Sequence, residues 1–278
     1  MKYIVGISGG VDSQSALNWA LDNYGPKDVI ALNADPGGNE HPITTDFIAW
    51  LSANVHPVVS VYPKYRDVWV NPATAEKHGV DWNGDMSFAG LATVKGRFPS
   101  RKAQFCTTFL KLAPSRRWID EHVGEEFERV SGVRRDESRD RARTRERFWD
   151  EYFECYTSNP LATWSKDRCF ADCLGRGQRV NPLYSMGFSR VGCAPCINAG
   201  RADIRAWVAR GPEMIEKVRG WEAQTGRTFF PPMVPGKRIN WIDEVVAWAM
   251  EVPRSRGQLA LDVLYTPAVC ESVYGLCE

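Results

Sequence analysis

The chain has 278 residues, with 35 lysines and arginines against 34 aspartates and glutamates, so its formal net charge is +1. Hydrophobic residues make up 44% and charged residues 25% of the sequence. This composition excludes a collagenous, low-complexity or disordered chain and predicts one or two globular domains. The balanced charge gives no indication of a nucleic-acid or membrane partner.

The sequence carries no signal for membrane insertion or export. No apolar run approaches the roughly 20 residues that a membrane-spanning helix needs. The apolar start of the chain, Tyr3–Ile7, is too short for a signal peptide and runs into a glycine turn. We therefore expect a cytoplasmic protein with no membrane partner. In that compartment the eight cysteines are better explained by metal binding or catalysis than by disulfides.

Strands and helices alternate through the first 62 residues. Short apolar runs predict buried strands, and apolar residues at helical spacing predict helices between them. The predicted elements are strand Tyr3–Ile7, helix Gln14–Asn23, strand Val29–Leu32, helix Thr44–Ser52 and strand Val55–Tyr62. This order predicts an α/β fold with a parallel twisted sheet and helices on both of its faces.

The remainder of the chain is less regular. The pattern predicts helix Pro114–His122, strand Glu128–Gly132, a loop over Tyr156–Gly192, helix Ala202–Thr225 broken at Gly211–Pro212, and helix Trp241–Glu251. We place a domain boundary near residue 200. It divides the chain into a nucleotide-binding α/β domain, residues 1–200, and a smaller, mainly helical C-terminal region, residues 201–278.

A glycine turn, Ser8-Gly9-Gly10-Val11-Asp12-Ser13, follows the first strand and opens the first helix. Two glycines allow the backbone to approach an anion closely, and the helix N-terminus presents N–H donors to it. A carboxylate at Asp12 beside a phosphate is reasonable if Mg²⁺ bridges the two. The turn matches neither a Walker A loop nor the GxGxxG dinucleotide turn. A capped strand-to-helix turn with no ligand is the alternative.

The turn resembles the pyrophosphate loop of the ATP pyrophosphatase (PP-loop) superfamily, which has the adenine nucleotide alpha hydrolase-like fold. Members cleave ATP between the α and β phosphates, adenylate a substrate and let a nucleophile displace AMP. The resemblance implies that the loop binds ATP and Mg²⁺. The segment Asn33-Ala34-Asp35-Pro36-Gly37 resembles the nucleotide-side loop of that superfamily, which implies that Asp35 lies near the adenosine. A plain turn before proline is the alternative for Asp35.

Two further segments resemble the phosphoadenosine phosphosulfate reductase-like branch of this superfamily. Phe105–Pro114 matches its CTxxLKxxP segment, and Gly132–Arg139 matches its GxRxDES segment. Arginines of the second segment hold phosphate or sulfate in that branch, and their planar fork suits such oxyanions. The alternatives for the seven arginines between residues 134 and 147 are a solvated helix with i,i+4 ion pairs, favoured for Arg143, Arg145 and Arg147, or a nucleic-acid surface.

The matched motifs assign roles to individual residues. The resemblance implies catalytic roles for Asp12, Lys111 and Arg134, and nucleotide contacts from Ser8, Gly9, Gly10, Val11, Asp12, Ser13, Asp35, Gly132 and Arg135.

The pair Cys193-Ala194-Pro195-Cys196 has the spacing that lets two thiolates reach one metal or cluster. In the resembling branch such a pair joins the cysteine of the CTxxLKxxP segment, here Cys106, in ligating a [4Fe–4S] cluster. We choose Cys270 as the fourth ligand. The alternatives are a Zn²⁺ site in which Cys169 and Cys173 join the pair, a redox dithiol, or two buried cysteines.

The leading functional hypothesis is an ATP-dependent adenylating sulfur-transfer (thiolation) enzyme. It would need a sulfur donor such as a cysteine desulfurase. A nucleic-acid substrate is implied because the branch includes the ATP-cleaving protein of DNA phosphorothioation, and a homodimer is a further possibility. The alternatives are a sulfonucleotide (adenylyl sulfate or phosphoadenylyl sulfate) reductase and a non-catalytic nucleotide- or cluster-binding subunit of a larger assembly.

Overall fold

A six-stranded sheet forms the centre of the computed structural model, which describes residues 1–124, 126–234 and 236–251. The strands are β1 (Lys2–Ile7), β2 (Val29–Ala34), β3 (Val58–Val61), β4 (Phe127–Val130), β5 (Arg147–Asp150) and β6 (Cys155–Ser158). Their order across the sheet is β3-β2-β1-β4-β6-β5. All neighbours are parallel except β5, which runs antiparallel to β6 at the edge.

Ten α-helices connect and cover the strands in the described ranges. They are α1 (Val11–Tyr24), α2 (Pro42–Asn54), α3 (Pro72–Lys77), α4 (Phe88–Lys95), α5 (Phe105–Thr107), α6 (Ala113–His122), α7 (Lys166–Gly175), α8 (Arg201–Arg210), α9 (Pro212–Thr225) and α10 (Ile242–Met250). A π-helical turn, Thr108–Leu112, joins α5 to α6. Within these ranges no helix combines the length and apolarity needed to cross a bilayer.

Helices cover both faces of the sheet. Successive side chains of β1 point to opposite faces and so pack in two different clusters. Val5 and Ile7 pack in one cluster with residues of α1, α2 and α7. Ile4 points the other way and packs in a second cluster with Leu112 and with Ile119 of α6. The predicted α/β class, a parallel sheet with helices on both faces, is confirmed.

The register of the sheet brings three loops to one edge. Ile7 at the end of β1 pairs with Asn33 of β2, and Val130 at the end of β4 pairs with Ser158 of β6. The loops that follow β1, β2 and β4 therefore leave the sheet on the same side. This is the edge at which open α/β sheets bind ligands.

The sequence predictions for residues 156–192 and 134–148 differ from the structure. The predicted loop Tyr156–Gly192 contains most of β6 and all of α7. The alternative of a solvated helix for the arginine-rich segment is wrong, because that segment forms a 3-10 turn at Arg141–Arg143 and then enters β5. Pairing with β6 supplies the backbone hydrogen-bond partners of β5, and the local pattern of charges along the sequence does not predict this pairing.

The helices α8, α9 and α10 confirm the predicted helical character of the described part of the C-terminal region. They pack in one hydrophobic cluster with Phe88 and Leu91 of α4 and with Phe188. The break predicted at Gly211–Pro212 separates α8 from α9. The domain boundary near residue 200 stays a prediction.

Candidate functional site

The glycine turn joins β1 to α1 and is held by its own serines. The Ser13 hydroxyl accepts the Ser8 backbone N–H at 3.2 Å and donates to the Gly10 carbonyl at 2.8 Å. Gly9 has a φ of +78°, a conformation that glycine adopts without strain. The first N–H groups of α1 have no intrahelical acceptor. The glycine turn thus lies at the predicted place between β1 and α1, and its predicted contact with an anion stays a prediction.

Gly132 allows the loop after β4 to touch the first turn of α1. A Cβ atom at Gly132 would lie 2.6 Å from the carbonyl oxygen of Asp12 and 3.1 Å from the backbone nitrogen of Ser13. Both neighbours are backbone atoms that cannot rotate away. The predicted site residue Gly132 is therefore required for this approach, and its predicted contact with a nucleotide stays a prediction.

Asp12 and Arg134 form a buried ion pair beneath the loop. The Asp12 Oδ2 lies 2.8 Å from the Arg134 Nε, and both side chains are 4% exposed. Although burial opposes its charge, Asp12, Glu137 and Asp136 together raise the pKa of Arg134 above its ordinary value. The Asp12 Oδ1 is buried and has no hydrogen-bond partner in the described part of the chain. One carboxylate oxygen thus orders Arg134, while the other lies buried without a hydrogen-bond partner among the described residues.

Two neighbouring arginines, Arg135 in the GxRxDES segment and Arg141 just after it, are engaged by the protein itself. Arg135 donates to the Thr144 carbonyl at 3.0 Å and pairs with Glu146. Arg141 is 2% exposed and pairs with Glu137. The sequence did not identify these internal partners, and the predicted contacts of Arg134 and Arg135 with a ligand stay predictions.

Three predicted metal ligands line one cleft. Cys106, Cys193 and Cys196 share it with Lys111 and Arg190, and its empty volume, including the part open to solvent, is about 470 Å³. Lys111 is 7% exposed and comes from the π-helical turn. Three thiols thus meet two basic side chains at one place, an arrangement that suits the binding of an anion beside sulfur.

The cleft is connected to the glycine turn through α2 and through residues 191–196, which include Cys193 and Cys196. The Thr44 hydroxyl donates to the Val191 carbonyl, and a Cβ at Gly9 would fall 2.5 Å from the Thr44 methyl. The Asn39 side chain donates to the Pro195 carbonyl at 2.8 Å, and the Asn39 carbonyl accepts the Ala194 N–H at 2.9 Å. The sequence analysis missed Asn39, Thr44 and Arg190 because none of them stands in a recognised motif.

The described residues do not complete a metal site. Within residues 1–124, 126–234 and 236–251, no group of three or more His, Cys, Asp or Glu side chains is placed to hold a metal ion. The fourth predicted ligand, Cys270, lies outside the described residues. Cys106, Cys193 and Cys196 line one cleft, but they are not placed together as ligands of one metal ion, and their predicted cluster stays a prediction.

The alternative zinc set is not assembled in the structure. Cys169 and Cys173 lie on α7 with no exposed surface and pack against α1 in a different hydrophobic cluster. Burial raises the pKa of both thiols, that of Cys173 to about 12. In this structure the two cysteines are packed as core residues away from Cys193 and Cys196.

A polar pocket lies at the ends of β2 and β3. Asn33, Asp35 and Glu40 line it, and the Asp35 Oδ1 accepts the Gly38 N–H at 2.6 Å. Asp35 thus holds its own loop, and its predicted place near adenosine stays a prediction. From α9, Lys217 donates to the Gly38 carbonyl at 2.9 Å, and burial lowers the pKa of Lys217.

We expect Glu40 to make the stability of the protein dependent on pH. Its burial raises the pKa of Glu40 from 4.5 to about 8, and Lys111 opposes that change. The folded protein therefore holds a proton that the unfolded chain releases near pH 4.5, so stability falls as the pH rises toward 8 and then levels off. Between pH 5 and pH 8, we expect the wild type to lose about 2–4 kcal/mol more unfolding free energy than Glu40→Gln.

Urea unfolding of both proteins at pH 5 and pH 8 measures this difference. The Glu40→Gln variant keeps the size and shape of the side chain but cannot titrate. Any pH dependence of stability that remains in it therefore comes from other groups. Two parallel pH profiles would contradict the prediction.

Comparisons with known proteins agree with the motifs. Residues 2–199 match the model of the phosphoadenosine phosphosulfate reductase domain. An uncharacterized 37.8 kDa protein of Escherichia phage 186 is 30% identical over 99% of this chain and 96% of its own length. The adenosine 5'-phosphosulfate reductase of Rhodococcus erythropolis is 27% identical over 67% of this chain and 78% of the reductase.

Among solved structures, the phosphoadenylyl-sulfate reductase of Candida auris in a phosphate complex is one match. It superposes with a TM-score of 0.48 and 16% sequence identity, over 69% of this chain and 81% of that one.

Proposed function

This chain belongs to the phosphoadenosine phosphosulfate reductase domain family, and from that premise we propose that it is an ATP-cleaving, adenylating sulfur-transfer enzyme. In this reaction an acceptor oxygen attacks the α-phosphorus of ATP and releases pyrophosphate. Hydrosulfide, or the terminal sulfur of a cysteine persulfide, then attacks the activated carbon or phosphorus of the acceptor, and AMP leaves with the bonding electron pair. After attack by a persulfide, a second thiolate attacks the sulfur of the donor cysteine, forms a disulfide with it and releases the new sulfur on the acceptor with the bonding electrons.

One observation carries the proposal: Thr44 of α2 joins the glycine turn to the segment that carries Cys193. Thr44 touches Gly9 on one side and donates to Val191 on the other, two residues before Cys193. A nucleotide on the turn and a sulfur nucleophile in the cleft would therefore approach one acceptor. The complete SGGVDS turn supports ATP, since it is the form found in superfamily members that use ATP.

The residues of the loop support the handling of charge during phosphate release. The N–H groups at the start of α1 donate to phosphate oxygens, and Lys111 adds positive charge from the cleft. Arg134 acts through Asp12, whose orientation it holds. The free Asp12 Oδ1 suits Mg²⁺, which prefers carboxylate oxygens and, when bound, neutralises phosphate charge. Positioning and charge neutralisation are the main contributions expected of a protein in phosphoryl chemistry.

An iron–sulfur cluster is part of the proposal. Cys106, Cys193 and Cys196 would hold it together with Cys270, and it would supply electrons or bind sulfur. The shared cleft of the first three thiols supports this ligand set.

ATP binding and cleavage test the proposal directly. We expect saturable ATP binding with Mg²⁺ and release of pyrophosphate when a suitable acceptor and sulfide are added. Absence of ATP binding in the presence of Mg²⁺ would end this proposal.

The metal content of variants tests the cluster. After anaerobic purification we expect about four irons per chain in the wild type and loss of iron in Cys193→Ser. The matched control is Cys173→Ala, a buried cysteine outside the cleft, which should keep its iron. Equal iron in all three proteins, or its absence from the wild type, would contradict the ligand set.

A sulfonucleotide reductase is the second candidate, favoured by the similarity to the Rhodococcus erythropolis adenosine 5'-phosphosulfate reductase. Its mark is sulfite formation from adenylyl sulfate with a dithiol reductant. Sulfite production without pyrophosphate release from ATP would replace the first proposal with this one.

A further inference from the structure

The segment between α7 and α8 lies directly on the glycine turn. The Asn181 side chain donates to the Gly9 carbonyl at 3.1 Å and to the Thr44 hydroxyl at 3.0 Å. The Tyr184 hydroxyl accepts the Val11 backbone N–H at 3.1 Å. As a result Val11, Asp12 and Ser13 are at most 3% exposed. The turn is closed over by the protein's own chain.

The Val11 N–H belongs to the group of donors that an anion would use. It is the first N–H of α1, where the helix dipole favours negative charge. The Tyr184 oxygen occupies a position at this donor that a phosphate oxygen would take. A neutral hydroxyl gains less there than an anion does, because hydrogen bonds to charged acceptors are about twice as strong.

The turn lacks a basic residue of its own. Ser8–Ser13 contains no lysine or arginine, and Arg134 is engaged with Asp12 and Asp136. Lys166, the first residue of α7, places its Nζ 4.9 Å from the centre of the Tyr184 ring. The Lys166 ammonium group therefore lies against Tyr184, the residue whose hydroxyl caps the turn.

We propose that Tyr184 holds the phosphate position of the turn while no nucleotide is bound, and that Lys166 supplies the positive charge when a pyrophosphate group displaces the Tyr184 hydroxyl from Val11. This inference rests on the proposed function and assigns two phosphate-site residues outside the recognised motifs. The Tyr184 hydroxyl moves only with its ring, which packs edge-on against Phe170 with ring centres 5.1 Å apart, so its displacement shifts that contact as well.

The two residues have opposite expected effects on anion affinity. Tyr184→Phe removes the competing hydroxyl, so it should lower the melting temperature of the ligand-free protein while tightening pyrophosphate binding about two- to tenfold. Lys166→Met should weaken pyrophosphate and ATP binding about tenfold and leave adenosine binding unchanged. A purely structural role for Tyr184 would lower both the stability and the affinity.

Calorimetric titration of the full chain with pyrophosphate, ATP and adenosine measures these affinities. Arg168→Met is the matched control, since Arg168 lies two residues further along α7 and stacks on Trp164 at 4.0 Å; it should bind all three ligands like the wild type. A wild type that binds neither ATP nor pyrophosphate overturns the proposed function. A wild type that binds both, with Tyr184→Phe and Lys166→Met unchanged or Tyr184→Phe weakened, overturns this inference alone.

Discussion

Arg134→Met is expected to destabilise the protein by about 3–5 kcal/mol, because it leaves the Asp12 carboxylate buried without its partner. Both side chains of this pair are 4% exposed, so water cannot replace the lost guanidinium. Among the described residues Asp12 has no second ion pair to take over. Urea unfolding at neutral pH measures the loss.

A matched control and a double variant separate this effect from the loss of an arginine in general. Arg176→Met removes the pairs with Asp22 and Asp172, in which the Arg176 side chain is 36% exposed, and should cost about 0–1 kcal/mol for each pair. Asp12→Asn combined with Arg134→Met should recover more than half of the stability lost in the single variant, because no charge remains buried. A cost for Arg134→Met no larger than that for Arg176→Met would refute the buried-pair account.

Gly132→Ala is expected to disable the glycine turn. The added methyl group would stand 2.6 Å from the Asp12 carbonyl oxygen and 2.8 Å from its carbonyl carbon, so the first turn of α1 must move. Overpacking of this kind costs about 1–3 kcal/mol. Displacement of catalytic groups by about 1 Å can reduce turnover about a hundredfold. Unfolding experiments and ATP cleavage assays measure the two effects.

The comparison for this variant is Gly220→Ala. Gly220 lies in α9, and nothing stands within 4 Å of a Cβ placed there. Alanine at that position should raise stability by up to about 1 kcal/mol, because glycine is the poorer helix former. If Gly132→Ala and Gly220→Ala behave alike, the close approach at Asp12 is not a constraint on the turn.

The sequence predicted the parts of the fold that local patterns control. Apolar runs identified β1 and β2, and the glycine turn between β1 and α1 was readable from its residue types. Strand β6 and helix α7 were missed because their polar residues pair with distant elements. Asn18 of α1, for example, donates to Asp172 of α7 at 2.9 Å, a contact 154 positions away that no local pattern reveals.

The candidate site was predictable where a motif carried it and not elsewhere. Cys106, Cys193 and Cys196 stand in recognisable segments, and the structure brings them to one cleft. The partners of Arg134 were not predictable, since its ion pair with Asp12 depends on the adjacency of β1 and β4. Tyr184 and Lys166 belong to the segment that the sequence presented as a loop.

The π-helical turn between α5 and α6 determines the directions in which the side chains before and after it point. In a regular α-helix, side chains five positions apart, such as Cys106 and Lys111, point about 140° away from each other. The wider turn at Thr108–Leu112 lowers the rotation per residue and so brings the two side chains toward the same cleft. Cys106 and Lys111 thus line one cleft through this local unwinding, and we expect a residue deleted from or inserted into this stretch to separate them.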